Sequence, residues 1–92
     1  MKKVQLVGDL NNAGGSIIST NQVLFYVDGV LIATTGSPVA THPEAHVGAI
    51  TSGSPGRNLF INGVLVVADQ DPDTCGHLRA TSLINKVLFV DV

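Results

Sequence analysis

Charge is what this sequence has least of: 13% of its 92 residues are Asp, Glu, Lys or Arg, where about 25% is usual. The five basic residues, Lys2, Lys3, Arg57, Arg79 and Lys86, and the net charge of −2 leave no electrostatic footprint for phosphates, so no nucleic-acid partner is expected. Cysteine occurs once, at Cys75, which excludes a disulfide within the chain. No apolar run approaches the ~20 residues of a membrane-spanning helix, and the start lacks the uninterrupted apolar stretch of a signal peptide. The expectation is a chain made in the cytoplasm, with any export left to another machine. No helix-length window keeps a 3.6-residue period, and ten glycines and four prolines interrupt the chain, so helix content should be very low.

What is present is apolar. Hydrophobic residues reach 45%, yet a chain of this length buries only about 60–65% of the surface its unfolded form exposes. Residues 1–92 therefore read as one domain with a thin core and with apolar surface left over to meet another protein or a second copy. A thin core calls for a staple. With disulfides excluded, a metal ion or an oligomeric contact remains.

Short β-branched and aliphatic runs alternate with turn residues about every eight to twelve positions, the rhythm of an all-β domain. Candidate strands span 4–7, 16–19, 23–27, 30–34, 47–51, 59–61, 64–68 and 86–90. Two segments stand out: Phe25-Tyr26-Val27-Asp28-Gly29-Val30-Leu31-Ile32 and Leu59-Phe60-Ile61-Asn62-Gly63-Val64-Leu65-Val66. Asp-Gly and Asn-Gly tolerate positive φ at both central positions of a type I′ turn, so each segment predicts a tight antiparallel hairpin. Their similarity marks a two-fold internal repeat. Downstream of each hairpin lies a Pro-bearing loop with potential ligands, from Pro38 to His46 and from Pro72 to His77. The glycine-rich stretches around Gly8, Gly14-Gly15 and Gly53 read as tight turns, since no helix follows to offer its N-terminus to a phosphate.

His42, His46, Cys75 and His77 together supply three imidazoles and one thiolate, a full tetrahedral donor set. Taken singly they are ordinary loop residues; together they fill equivalent loops of a repeat and make a candidate metal site. Thiolate and imidazole suit zinc, expected at one ion per chain and ahead of iron. Four protein ligands leave no open position for water, so such a site is structural and not catalytic. Thr41-His42-Pro43-Glu44 has the form of a helix capping box, and a single turn there still lets His42 and His46 converge. Cys75 carries no local signature of a nucleophile, so neither an enzyme nor a small-molecule substrate is expected. Asp69, Asp71 and Asp73 read as a solvated acidic turn, lacking the glycine and the closing carboxylate of a calcium loop.

The order Gly8-Asp9, Gly14-Gly15, Asp28-Gly29, a His-bearing loop, Ile50-x-x-Gly53-Ser54, Ile61-Asn62-Gly63 with Ala68-Asp69, and Cys75-Gly76 resembles PAAR-repeat proteins over residues 4–80. The resemblance implies a conical β domain with zinc near its apex, seated on the blunt end of a trimeric β-helical spike, one tip per trimer. Such tips sharpen the membrane-piercing spike of type VI secretion systems and contractile phage tails. They meet the target membrane only during piercing. The name-giving Pro-Ala-Ala-Arg run is absent, and Asn12-Ala13 stands where the family commonly has a histidine. By matching positions His46 and Cys75 take the ligand role, and His42 and His77 complete the set by donor count. The divergence favours a phage virion tip, located at the tail baseplate. The alternative is a small self-associating β interaction module of a virion, without metal.

Overall fold

In a computed structural model, which describes residues 1–43 and 46–91, regular structure consists of six two-residue strands. They are β1 (Lys2–Lys3), β2 (Tyr26–Val27), β3 (Val30–Leu31), β4 (Phe60–Ile61), β5 (Val64–Leu65) and β6 (Phe89–Val90). Among the described residues there is no helix. Asp28 and Gly29 adopt φ of 49° and 80°, Asn62 and Gly63 of 53° and 78°. Both pairs thus make the type I′ turn their residue types favour and close the β2–β3 and β4–β5 hairpins.

The two-fold repeat is the contiguous part of a three-fold arrangement. A third antiparallel pair joins β1 to β6, with Lys2 opposite Val90 and Lys3 opposite Phe89. Bridges then link the three units in a ring: Val4 to Ala68, Leu6 to Ile32 and Thr34 to Val66. At its centre three backbone hydrogen bonds form a closed triangle. The Gln5 N–H donates to the Val67 carbonyl (2.8 Å), Val67 to Ala33 (3.2 Å) and Ala33 to Gln5 (2.9 Å). A second ring follows further along each unit, through Asn11 to Arg79, Ile17 to Val39 and Thr51 to Asp73. Beyond it extend three loops: loop 1 (11–17), loop 2 (39–51) and loop 3 (73–79).

The longer strands expected from the sequence break into isolated bridges because each unit bends at the same place. Side chains there replace ladder partners: Asp9 Oδ2 accepts from the Leu6 N–H (2.8 Å), Ser37 Oγ from Thr34 (3.3 Å) and Asp71 Oδ2 from Ala68 (2.9 Å). This i−3 contact offers the backbone a turn in place of a strand. The residue before each acceptor has positive φ: Gly8 (100°), Gly36 (92°) and Gln70 (73°).

The apolar core lies among the hairpins and the first ring: Val4, Leu6, Val27, Ile32, Ile61 and Val66, with Val30, Leu59, Leu88 and Val90 packed against it. Around it, buried polar side chains cap backbone groups. The Val66 carbonyl accepts from Arg57, as those of Ile32 and Val4 accept from Gln22 and Asn85 in the other two units.

The acidic turn, expected to be solvated, is buried: Asp69, Asp71 and Asp73 are 7%, 0% and 2% exposed. Their partners are distant in sequence, which is why the local pattern looks like a surface. Asp69 Oδ1 accepts from Gln5 Nε2 and the Ser82 N–H, Asp71 pairs with Arg57 through both guanidinium NH groups, and Asp73 Oδ2 lies 3.2 Å from Arg79. Arg57→Ala would strand the Asp71 carboxylate in the interior. A loss of about 3–5 kcal/mol in urea unfolding is expected, and a loss under about 1 kcal/mol would show that this pair does not hold the β4–β5 unit in place.

Candidate metal centre

The second ring ends each unit in a loop closed by the same backbone bond. Asn11 N–H donates to the Gly15 carbonyl, Asp73 to His77 and Val39 to Ala49. A glycine at positive φ precedes each acceptor: Gly14 (86°), Gly76 (94°) and Gly48 (75°). By this register Ala13, Gly14 and Gly15 of loop 1 stand where Cys75, Gly76 and His77 stand in loop 3. Loop 2 is longer than its counterparts, and its extra residues carry His42 and His46.

All four ligands expected from the sequence converge. One donor atom each from His42, His46, Cys75 and His77 lies within 4.8 Å of all the others. His42 Nε2 is 3.1 Å from His77 Nδ1 and 3.3 Å from His46 Nδ1, and the last two are 3.2 Å apart. Cys75 Sγ is 3.4 Å from His42 Nε2 and 3.6 Å from His77 Nδ1. His42 is buried at 5% exposure, and the other three are half-buried. Glu44, the acidic member of the expected capping box, lies outside the described residues. The His46 N–H donates to the His42 carbonyl (3.3 Å), and the two residues form an antiparallel bridge.

Hydrogen bonding alone does not satisfy this arrangement. His42 Nδ1 faces the Ala40 carbonyl at 2.8 Å; a carbonyl only accepts, so Nδ1 carries a proton and the ring turns its Nε2 toward the cluster. Each ring nitrogen has either a proton or a lone pair in its plane, never both. In a triangle of three such nitrogens at most two contacts can be donor to acceptor, and the third sets like against like. A cation shared by all three lone pairs and a thiolate removes the conflict. The cluster is therefore a set of side chains able to hold a metal ion, with the Ala40 carbonyl orienting one ligand from behind.

Two residues beneath the site carried no signal of their own. Asn11 Nδ2 donates to Asp73 Oδ2 (2.9 Å) and approaches His42 Nε2 at 3.4 Å, while its Oδ1 accepts from the Ala13 and Gly15 N–H groups. Arg79, wholly buried, donates to the Gly15 carbonyl (2.7 Å) and pairs with Asp73, tying loop 1 to loop 3. Burial lowers the pKa of its guanidinium from the usual value, and the negative charges of Asp73, Asp9 and Cys75 oppose that shift. The spacing Asn11-x-x-Gly14-Gly15 against Asp73-x-x-Gly76-His77 held the clue to loop 1.

Compared with known proteins, the chain matches no protein-family model and no curated protein.

Exposure separates the roles of the histidines. His46→Ala and His77→Ala should each weaken divalent-metal binding at least about tenfold while shifting metal-free stability by less than about 1 kcal/mol. His42→Ala should weaken both. Titration against a competing chelator and urea unfolding of the metal-free protein check this; unchanged affinity in all three variants would show that the cluster holds no ion.

Proposed function

We propose that this chain is a structural, zinc-stapled tip that caps a trimeric β-helical spike, of the PAAR type, in a contractile injection apparatus. The observation that carries this reading is the three-fold ring of hairpins and what it presents. In each of the three strand pairs one strand puts an aromatic side chain outward and an aliphatic one inward: Tyr26 and Val27 in β2, Phe60 and Ile61 in β4, Phe89 and Val90 in β6. Tyr26, Phe60 and Phe89 are 54%, 54% and 39% exposed, flanked by Val23, Leu24, Phe25, Leu83 and Val87, all at least half-exposed. A monomeric surface rarely leaves so many large apolar groups together. Three related sets in one chain match the blunt end of a three-fold partner, each set meeting one subunit.

Zinc is the ion the donor set fits best. Zinc bonds of about 2.0–2.1 Å to nitrogen and 2.3 Å to sulfur give tetrahedron edges of about 3.3–3.4 Å between nitrogens and about 3.5–3.6 Å between nitrogen and sulfur. Five of the six separations, 3.1–3.3 Å between nitrogens and 3.4–3.6 Å from Cys75 to His42 and His77, are of that size, and the sixth, between Cys75 and His46, lies within 4.8 Å. With four side chains as ligands the ion supplies a cross-link between loops 2 and 3, which lack regular structure of their own, and no water for chemistry. This supports a structural part and not an enzyme. A tip driven through a membrane gains from such a clamp. The place that follows is a phage tail baseplate or a type VI secretion spike.

Two measurements test the reading. Elemental mass spectrometry of untagged protein should find about one zinc per chain, and stripping it with a chelator should lower the melting temperature reversibly. Multi-angle scattering with a purified trimeric β-helical spike should give one chain per trimer, lost on combined Tyr26→Asp and Phe60→Asp substitution. Stable self-association of a metal-free protein, without spike binding, would favour the alternative of a self-associating virion module.

A further inference from the structure

Loop 1 supplies no ligand, yet it touches the metal centre more closely than its residue types suggest. Gly15 occupies the position that His77 holds in loop 3, and it is buried. A Cβ built on it would lie 2.6 Å from His42 Nδ1, 2.8 Å from Asn11 Nδ2 and 2.9 Å from Val39 Cγ1. No real Cβ tolerates such distances, and none of these groups is free to yield. His42 Nδ1 is bonded to the Ala40 carbonyl, Asn11 Nδ2 to Asp73, and Val39 is buried at 4% exposure. The neighbouring Gly14 is the opposite case: its φ is +86°, and an added Cβ would meet nothing within 4 Å. Gly14 is needed for backbone conformation, Gly15 for space.

We propose that Gly15 is a positioning residue of the metal centre: its missing side chain leaves the room in which the His42 imidazole stands with Nδ1 on Ala40 and Nε2 toward the other donors. This rests on the metal reading of the cluster. Of three loops related by the pseudo-three-fold, one has given up its own donors so that a histidine of the longer loop 2 can lie across it. A side chain at position 15 would displace His42 and leave a site of three ligands.

The test is a double-mutant cycle on cobalt(II) affinity, measured by competition with a chelator. Gly15→Ala is expected to weaken binding at least about tenfold alone, and less than about threefold in a His42→Ala background, because it acts through His42. Asn12→Ala, at an exposed position of the same loop, should leave affinity within about threefold of the unsubstituted chain. Equal losses from Gly15→Ala in both backgrounds, or no loss, would overturn the proposal. If Gly15→Ala fails to fold, the His42→Ala variant alone decides: an affinity within about threefold of the unsubstituted chain would overturn the proposal, since the room at position 15 would then position no ligand. Absence of cobalt or zinc binding by the unsubstituted chain would sink the metal reading instead. The positioning role is then read in metal-free protein by ¹H–¹⁵N spectroscopy of the imidazoles, where Gly15→Ala should abolish the Nδ1–H signature of His42 and an unchanged signature would refute it.

Discussion

Three backbone hydrogen bonds around a pseudo-three-fold axis, from Gln5 to Val67, Val67 to Ala33 and Ala33 to Gln5, are the constraint on which the other features depend. Two-residue strands cannot hold themselves together, since an isolated hairpin is marginal in water even when longer. Here each hairpin is anchored because the residues after it share one closed ring, so ordering any unit helps to order the other two. The ring also explains the polar interior. Where strands are this short, carbonyls near the centre have no ladder partner, and an unpaired buried carbonyl is costly. Gln22, Asn85 and Arg57 reach in to satisfy the carbonyls of Ile32, Val4 and Val66. Only Arg57 brings a charge with it, and Asp71 is buried beside it for that reason.

A symmetric ring would place three equal loops at its end, and three equal loops cannot build a four-ligand site. The four donors meet because the symmetry is broken twice. Loop 2 is extended and brings His42 and His46; loop 1 is reduced to Ala13 and Gly15 where loop 3 keeps Cys75 and His77. The buried ion pair of Arg79 with Asp73, and the Asn11 carboxamide between Asp73 and His42, bind the reduced loop to the ligand-bearing one. Loops 1 and 3 are thus tied to each other by directional bonds, and among the described residues no helix or long strand lies near the donors.

Much of this was legible in the sequence, and the parts that were not share a cause. The Asp28-Gly29 and Asn62-Gly63 turns could be read because a type I′ turn is a local event with a local residue preference. His42, His46, Cys75 and His77 could be read because metal donors are few in kind and the chain has few of them. The third strand pair could not, since its strands Lys2–Lys3 and Phe89–Val90 stand at opposite ends of the sequence with no turn dipeptide to mark them. Asp69, Asp71 and Asp73 alternate like a surface turn, and only their distant partners Gln5, Arg57, Asn11 and Arg79 make them interior. Gly15 is invisible for the same reason: the need for space is set by His42, far along the chain.

The distribution of charge follows from the same geometry. Among the described residues, those that carry charge and are exposed or half-exposed are Lys2, Lys3, Asp28, Lys86 and Asp91, all in or beside the hairpins. Asp73 and Arg79, the charged members of the three loops among the described residues, are buried against each other. The loop end therefore shows solvent glycine, threonine, proline and aliphatic side chains, such as Leu10, Ile18, Val47, Ile50 and Leu78. Among the described residues the exposed and half-exposed lysines lie at the hairpin end, and none stands beside Cys75. Attraction between a thiolate and a cation strengthens as the surrounding dielectric falls. The scarcity of charge with which the sequence opens thus leaves the four donors, among the described residues, with few competing charges beside them.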